Sequence, residues 1–514
     1  MVDQGVVCSV DPLASDIGRQ VLIEGGNAVD AAIAAGAALT VVAPHLCGLG
    51  GDLFALVHRP GDAAPASLNA SGRAGSGADP RALRAEGHTV MPFREDIRST
   101  PVPGCVDGWF ALHERYGTKP IPELLAPAIG LAADGWTATR MLATAGATLE
   151  GVVGAEDLTG FVAGGTVKRE RTAMALRAIA ADGREGFYLG DFGQGLIALG
   201  EGLFAEADLA APQADWQAPL HVDALGHRVW TAAPNSQGYL LLLTLAIADR
   251  LDMPADPADP LWAHYLVESS RLAGHDRPEC LCEGADVTDR LASAAERAAR
   301  IRPDSRADVP VHQQTGGTTY LAVLDGEGMG VSYIQSNAAG FGTRLFEPRT
   351  GIGLQNRGTG FSLTPGHPAE LAPGKRPPHT LVPALVTGPD GALRLIAGTM
   401  GGDSQPQILA QLLSRVLASG HSVDEAVQAP RWRLHPGETG FGTWDGPHAI
   451  DVELERGAPE AWSAGLVERG HGPVWADAGS GFGHAHLIEV DAAGHASGAV
   501  DPRAETGTVG IVPR

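Results

Sequence analysis

The periodicity of the chain changes at residue 318, and that switch restricts the folds open to it. Before this point the regular segments are mostly helical. Asp11-Pro12 supplies an N-cap and a proline at the first helical position, Leu13, Ile17 and Val21 recur at helical spacing, and Gly25-Gly26 ends the run, which predicts a helix over 12–24. Asn27, with Asp30 three residues on, caps a second helix running through alanines towards Pro44. The glycine loop Cys47-Gly48-Leu49-Gly50-Gly51-Asp52 then opens a short strand over 53–58, and further helices are predicted from Asp259-Pro260 through Ala273 and over 287–301. A polar segment without periodicity, 302–317, reads as a linker. From Thr318 on the pattern is β-branched and apolar: strands over 318–325 and 329–336 around the turn Gly326-Glu327-Gly328, a hairpin over 381–387 and 393–397, and a strand pair over 484–490 and 496–500. Only 405–419 returns to helical spacing there. Helices combined with antiparallel hairpins predict an α+β layered sandwich and argue against a doubly wound parallel sheet.

Composition narrows the partners. A net charge of −23 argues against nucleic acid and anionic membrane surfaces, because both need basic patches to displace counterions. The most apolar stretch, 31–42, is too short to span a bilayer and is broken by Gly36. The first residues carry no basic and apolar leader pattern, and five scattered cysteines read as reduced thiols, so a cytoplasmic location is expected. The 18 histidines form no zinc motif, and neither metal nor cofactor is expected. That leaves small molecules. The 69 glycines, about twice the usual ~7% share, cluster at the ends of apolar runs, where they let backbone amides approach a ligand.

Thr318 stands where a glycine-ending polar linker meets a strand. A threonine hydroxyl is a weak nucleophile, but a free α-amine on the same residue, with a pKa of about 7.7–8.0, is a base already in place. That amine exists only if the Gly317–Thr318 bond is broken, and glycine leaves the carbonyl before it sterically open. The residues alone favour the plainer reading, a threonine-rich strand start.

A set of motifs in order along the chain decides between these readings. Gly25 to Ala32 reads G-G-N-A-V-D-A-A, Pro44 to Asp52 reads P-H-x-x-G-x-G-G-D, Thr318 to Asp325 reads T-T-Y-x-x-V-x-D, and Lys375-Arg376-Pro377, Gly401-Gly402 and Asp501-Pro502-Arg503 follow. This series resembles the gamma-glutamyltransferase (glutathione hydrolase) family over nearly the whole chain. The resemblance implies an N-terminal-nucleophile hydrolase with an αββα sandwich, cut by itself into a large chain, 1–317, and a small chain, 318–514, that stay together as one catalytic unit. It implies Thr318 as nucleophile, Gly401 and Gly402 as the backbone oxyanion hole, Asn337 as the active-site asparagine and Arg73 as the grip on a substrate carboxylate.

Two departures bear on the substrate. Where family members place acidic residues for the glutamyl α-amine, this chain has Arg357-Gly358-Thr359-Gly360, and the paired serines after K-R-P-x are replaced by His379-Thr380. The variant resembles the gamma-glutamyltransferase-like branch that includes an oxamate amidohydrolase. The expected substrates are therefore γ-glutamyl or related small-acid amides, opened through an acyl-enzyme by water or an amine. Two alternatives stay open: an amidohydrolase for oxamate- or glutaryl-type amides lacking an α-amine, and an uncleaved homologue that only binds a ligand.

Overall fold

A computed structural model describes residues 2–308, 313–314, 318–434, 441–443 and 452–513. The opening helix pair forms from the signals in its sequence. Asp11 caps Pro12–Ile23, and Asn27 caps Ala28–Val42 in a reciprocal box in which the Asn27 oxygen accepts from Val29 and Asp30 while Asp30 accepts from Asn27 N–H at 3.0 Å. Every residue of the second helix is buried, because it lies flat on a sheet. Gly36 permits that approach: a Cβ there would sit 2.5 Å from the Tyr333 hydroxyl.

That sheet has seven antiparallel strands in the spatial order Thr508–Pro513, Gln4–Ser9, Thr319–Leu324, Gly330–Ser336, Asp52–His58, Ala66–Ala70 and Asp215–Gln217. A second sheet of six antiparallel strands runs Ala496–Val500, Ala485–Val490, Leu393–Thr399, Ala384–Thr387, His227–Thr231 and Leu220–Ala224. The sheets pack face to face through Phe54, Tyr320, Ile334, Leu385, Ile396 and Ile488. Ala28–Val42 and its neighbours cover the outer face of the first, and Gly238–Ala248 and Gln405–Leu417 cover the outer face of the second. The layers are thus αββα, as the resemblance implied. Strands buried on both faces read as continuous apolar runs: Tyr320, Ala322 and Leu324 point between the sheets, Leu321 and Val323 towards the helices.

Both sheets mix strands from before and after residue 318. The strand Gln4–Ser9, between Thr319–Leu324 and Thr508–Pro513, was not anticipated. The helix expected over 287–301 is two short ones, Thr288–Ala292 and Ala294–Ala298; between them Ser293 bends to ψ near 1° and its hydroxyl bonds the Arg290 carbonyl at 2.7 Å, competing with the helical ladder. The strand expected from 381 begins at Ala384, since Pro383 has no N–H to give a ladder. The first part of the expected linker is tied down by Arg306 N–H to the Arg469 carbonyl and Ala307 N–H to Glu268, at 2.7 and 2.6 Å.

Candidate active site

Thr318 sits one residue before the strand Thr319–Leu324, an interior strand of the first sheet. In the hairpin with Gly330–Ser336, Thr319 faces Gln335, so the next rung places Thr318 opposite Ser336. The two buried hydroxyls are 3.1 Å apart. Ser336 Oγ accepts from Ala338 N–H at 2.8 Å and from Arg357 Nη2 at 3.3 Å.

Arg357 is the hub of this buried set. Its Nε donates to Asp52 Oδ2 and its Nη1 to Thr380 Oγ1, both at 2.9 Å. Asp52 Oδ2 also lies 2.9 Å from His379 Nε2, while His379 Nδ1 accepts from Leu381 N–H, so a neutral ring carries its proton on Nε2 and gives it to Asp52. Burial pushes the Asp52 carboxyl up, but the Arg357 charge and His379 outweigh it and hold Asp52 below the ordinary carboxylate range. Burial, then the Arg357 charge, lower His379 to about 4 despite Asp52. The unit therefore holds one guanidinium, one carboxylate and one neutral imidazole at neutral pH.

Gly401 and Gly402 follow the strand Leu393–Thr399 with φ of +135° and +55°, conformations that favour glycine. Buried Gln237 ties this turn to the hub: its Nε2 donates to the carbonyls of Gly402 and Thr380, both at 3.0 Å. Asn337, one residue beyond Ser336, points to the other side and braces the Pro44–Asp52 loop, its Nδ2 donating to the Pro44 carbonyl at 3.1 Å. Arg73, with its side chain 31% exposed, is engaged by Asp215 at 2.8 Å and Glu283 at 2.6 Å, carboxylates it shares with Arg376. Gly317 lies outside the described residues. A cleft of about 260 Å³ opens onto the hub, its lining including Arg357, Thr380, Thr359, Gly360 and Phe361 together with Arg277, Pro278 and Leu281.

Four polar residues of this neighbourhood were not singled out from the sequence: Ser336, Asp52, Gln237 and Arg277. Only Ser336 had a usable signal, because counting outward from the turn at 326–328 pairs it with Thr318.

Several buried histidines stay neutral here. His379 and His484 are lowered to about 4 and His45 to about 3, chiefly by burial, and neither ring nitrogen of His45 or His484 has a hydrogen-bond partner. Below the ordinary value of 6.5 the unfolded chain takes up protons on these rings that the folded chain refuses, so stability should fall as pH drops from about 6.5 towards about 4. Asp52, with its depressed pKa, adds a loss only at lower pH, as pH falls through its own folded value. Thermal denaturation at constant ionic strength should show the midpoint falling across this window and the fall becoming shallower in His484→Gln; a flat profile would contradict the neutral-histidine assignment.

Two antiparallel sheets between helical layers, with a threonine opening an interior strand, define the N-terminal-nucleophile class of hydrolases. A family model described as Gamma-glutamyltranspeptidase matches residues 14–511. The oxamate amidohydrolase proenzyme of Klebsiella pneumoniae subsp. pneumoniae is 36% identical over 538 residues, with 98% of each chain covered. The glutathione hydrolase-like YwrD proenzyme of Bacillus subtilis is 33% identical, again with 98% of each chain covered. Among solved structures, the cephalosporin acylase from Bacillus halodurans has a TM-score of 0.89 and 32% identity, covering 99% of this chain and 96% of that one. The chain belongs to the gamma-glutamyltranspeptidase family and is an enzyme, a self-processing amide hydrolase of the N-terminal-nucleophile class.

Proposed function

We propose that the protein hydrolyses amides of small carboxylic acids that lack an α-amine, oxamate and glutaryl amides being the nearest chemical types, with Thr318 as nucleophile. In maturation, Thr318 Oγ attacks the Gly317 carbonyl carbon, the peptide nitrogen takes a proton and leaves as the Thr318 α-amine, and water hydrolyses the resulting ester to give chains 1–317 and 318–514. In turnover, that amine takes the hydroxyl proton as Oγ attacks the amide carbon, and the proton passes to the departing amine. Water then hydrolyses the acyl ester, releasing the acid and restoring Thr318. The N–H groups of Gly401 and Gly402 would hold the oxyanion, with Ser336 hydrogen-bonded to the nucleophile throughout.

The observation that carries the substrate assignment is the hub. A substrate ammonium needs an acidic partner, yet Arg357 stands in the cleft and already neutralises Asp52, the carboxylate beside it, through Oδ2, which His379 shares. The 36% identity to an oxamate amidohydrolase proenzyme supports the same reading. Arg73 already has its charge balanced by Asp215 and Glu283, which weakens its claim on a substrate carboxylate. All five cysteines are free, which supports a cytoplasmic setting.

The test is kcat/KM for glutaryl-anilide, γ-glutamyl-anilide and oxamate under one set of conditions. The glutaryl compound or oxamate should be turned over at least as well as the γ-glutamyl compound. A preference of about a hundredfold for γ-glutamyl, worth ~2.7 kcal/mol, would return the protein to glutathione-type chemistry.

A further inference from the structure

We propose that Arg277 is the specificity-determining residue of the cleft, a guanidinium that takes the free carboxylate of a monoamide of a short dicarboxylic acid. The inference rests on the hydrolase reading above and adds to it the charged end of the substrate. Two arginines line the cleft, and they differ in what they can still give. Arg357 has all three nitrogens committed, to Asp52, Thr380 and Ser336. Arg277 donates from Nη2 to Asp403 at 3.0 Å, while its Nε is buried without a hydrogen-bond partner. The residue is only 9% exposed, so this unmet donor is not satisfied by bulk water.

A buried guanidinium with an unmet N–H suits a carboxylate, whose oxygens accept charge-assisted hydrogen bonds. Asp403 fixes where that donor lies. It is buried and directly follows Gly402, so the ion pair ties the carboxylate grip to the glycine turn proposed to hold the oxyanion. The cleft, at about 260 Å³, is below the ~300–1,000 Å³ usual for drug-sized ligands, which favours a short acid over a peptide. Charge balance points the same way. Arg277 with Asp403 and Arg357 with Asp52 are two neutral pairs beside a neutral His379, so a monoanion can enter without facing an excess of negative charge.

The experiment compares oxamate, succinamate and glutaramate with the matched neutral amides of propionic and butyric acid, in the cleaved wild type, Arg277→Met and Arg277→Lys. The ratio of kcat/KM for acidic over neutral amides should fall by roughly 30-fold or more in Arg277→Met. Arg277→Lys, which keeps the charge and loses the fork, should fall less. A ratio within about threefold of wild type would overturn the proposal, at about 1.4 kcal/mol per decade. The double variant Arg277→Met/Asp403→Asn keeps the pair neutral if the single variant fails to fold, and the same ratio is read from it. Should the wild type hydrolyse none of these amides, the proposed substrate assignment fails, and calorimetry with oxalate, malonate and succinate still reads the carboxylate site. Binding by wild type that weakens by roughly 30-fold or more in the variant supports Arg277; equal binding, or none to wild type, overturns it.

Discussion

Thr318→Ala should run as one intact 53.0 kDa chain on a denaturing gel and show no turnover, whereas wild type should run as two chains, the smaller beginning at Thr318 by N-terminal sequencing. The substitution removes the hydroxyl that sits 3.1 Å from Ser336 and leaves the strand Thr319–Leu324 otherwise unchanged. Because that hydroxyl is assigned both to the cut and to acyl transfer, both should vanish together, with a loss in kcat on the order of 10⁵–10⁶-fold or to background. Thr318→Ser keeps the hydroxyl and should recover both in part. Fully active wild type that stays a single chain would refute the mechanism, as would cleavage of Thr318→Ala at the wild-type rate.

Arg357→Met should be the most damaging change among the supporting residues, through stability and chemistry together. It removes the counter-charge of Asp52, a fully buried carboxylate whose second oxygen already has no hydrogen-bond partner. Breaking one side of a buried ion pair typically costs about 3–5 kcal/mol. Without the arginine, Asp52 rises and so does His379, since Arg357 holds both down. The two can then share a proton at a pH where wild type has a plain carboxylate and a neutral ring. Ser336 also loses the N–H donor that Arg357 supplies, so its hydrogen bond to Thr318 is no longer oriented from that side. We expect a loss of roughly 100-fold in kcat/KM and a lower denaturation midpoint. Asp52→Asn added to Arg357→Met should restore part of the stability, because the stranded charge disappears. Additive losses in the double variant, or a single variant within threefold of wild-type activity, would show that the hub does not act as a unit.

How much could be read before the structure depended on how local each signal was. The Asn27–Asp30 cap, the helix starting at Pro260 and the hairpin after Thr318 depend on neighbours a few residues away, and all three form where their sequences place them. The strand Gln4–Ser9 was overlooked because its partners are more than 300 residues downstream and a helix cap follows it at once. The site divides along the same line. Thr318, Gly401, Gly402, Arg357, His379 and Thr380 were named from motifs, and the structure connects them through Ser336, Asp52 and Gln237, which come from three separate segments. Arg73 could be named as a carboxylate-binding type, but its partners Asp215 and Glu283 lie over 140 residues away, and nothing local announced that they would occupy it. Arg277, which also lines the cleft, belongs to a short helix with no motif at all.

The position of Gln4–Ser9 between Thr319–Leu324 and Thr508–Pro513 changes what denaturation would mean for the matured enzyme. A cut before Thr318 leaves a strand of one piece threaded between two strands of the other, so neither piece retains a complete first sheet on departure. Refolding of the precursor is a first-order event within a single chain. Refolding of the cut protein must begin with an encounter between two chains, so its yield should depend on dilution where that of the precursor does not. Cleavage thus converts a fold that one chain can find alone into an assembly that must persist, and the lifetime of the matured enzyme is then set by its barrier to unfolding.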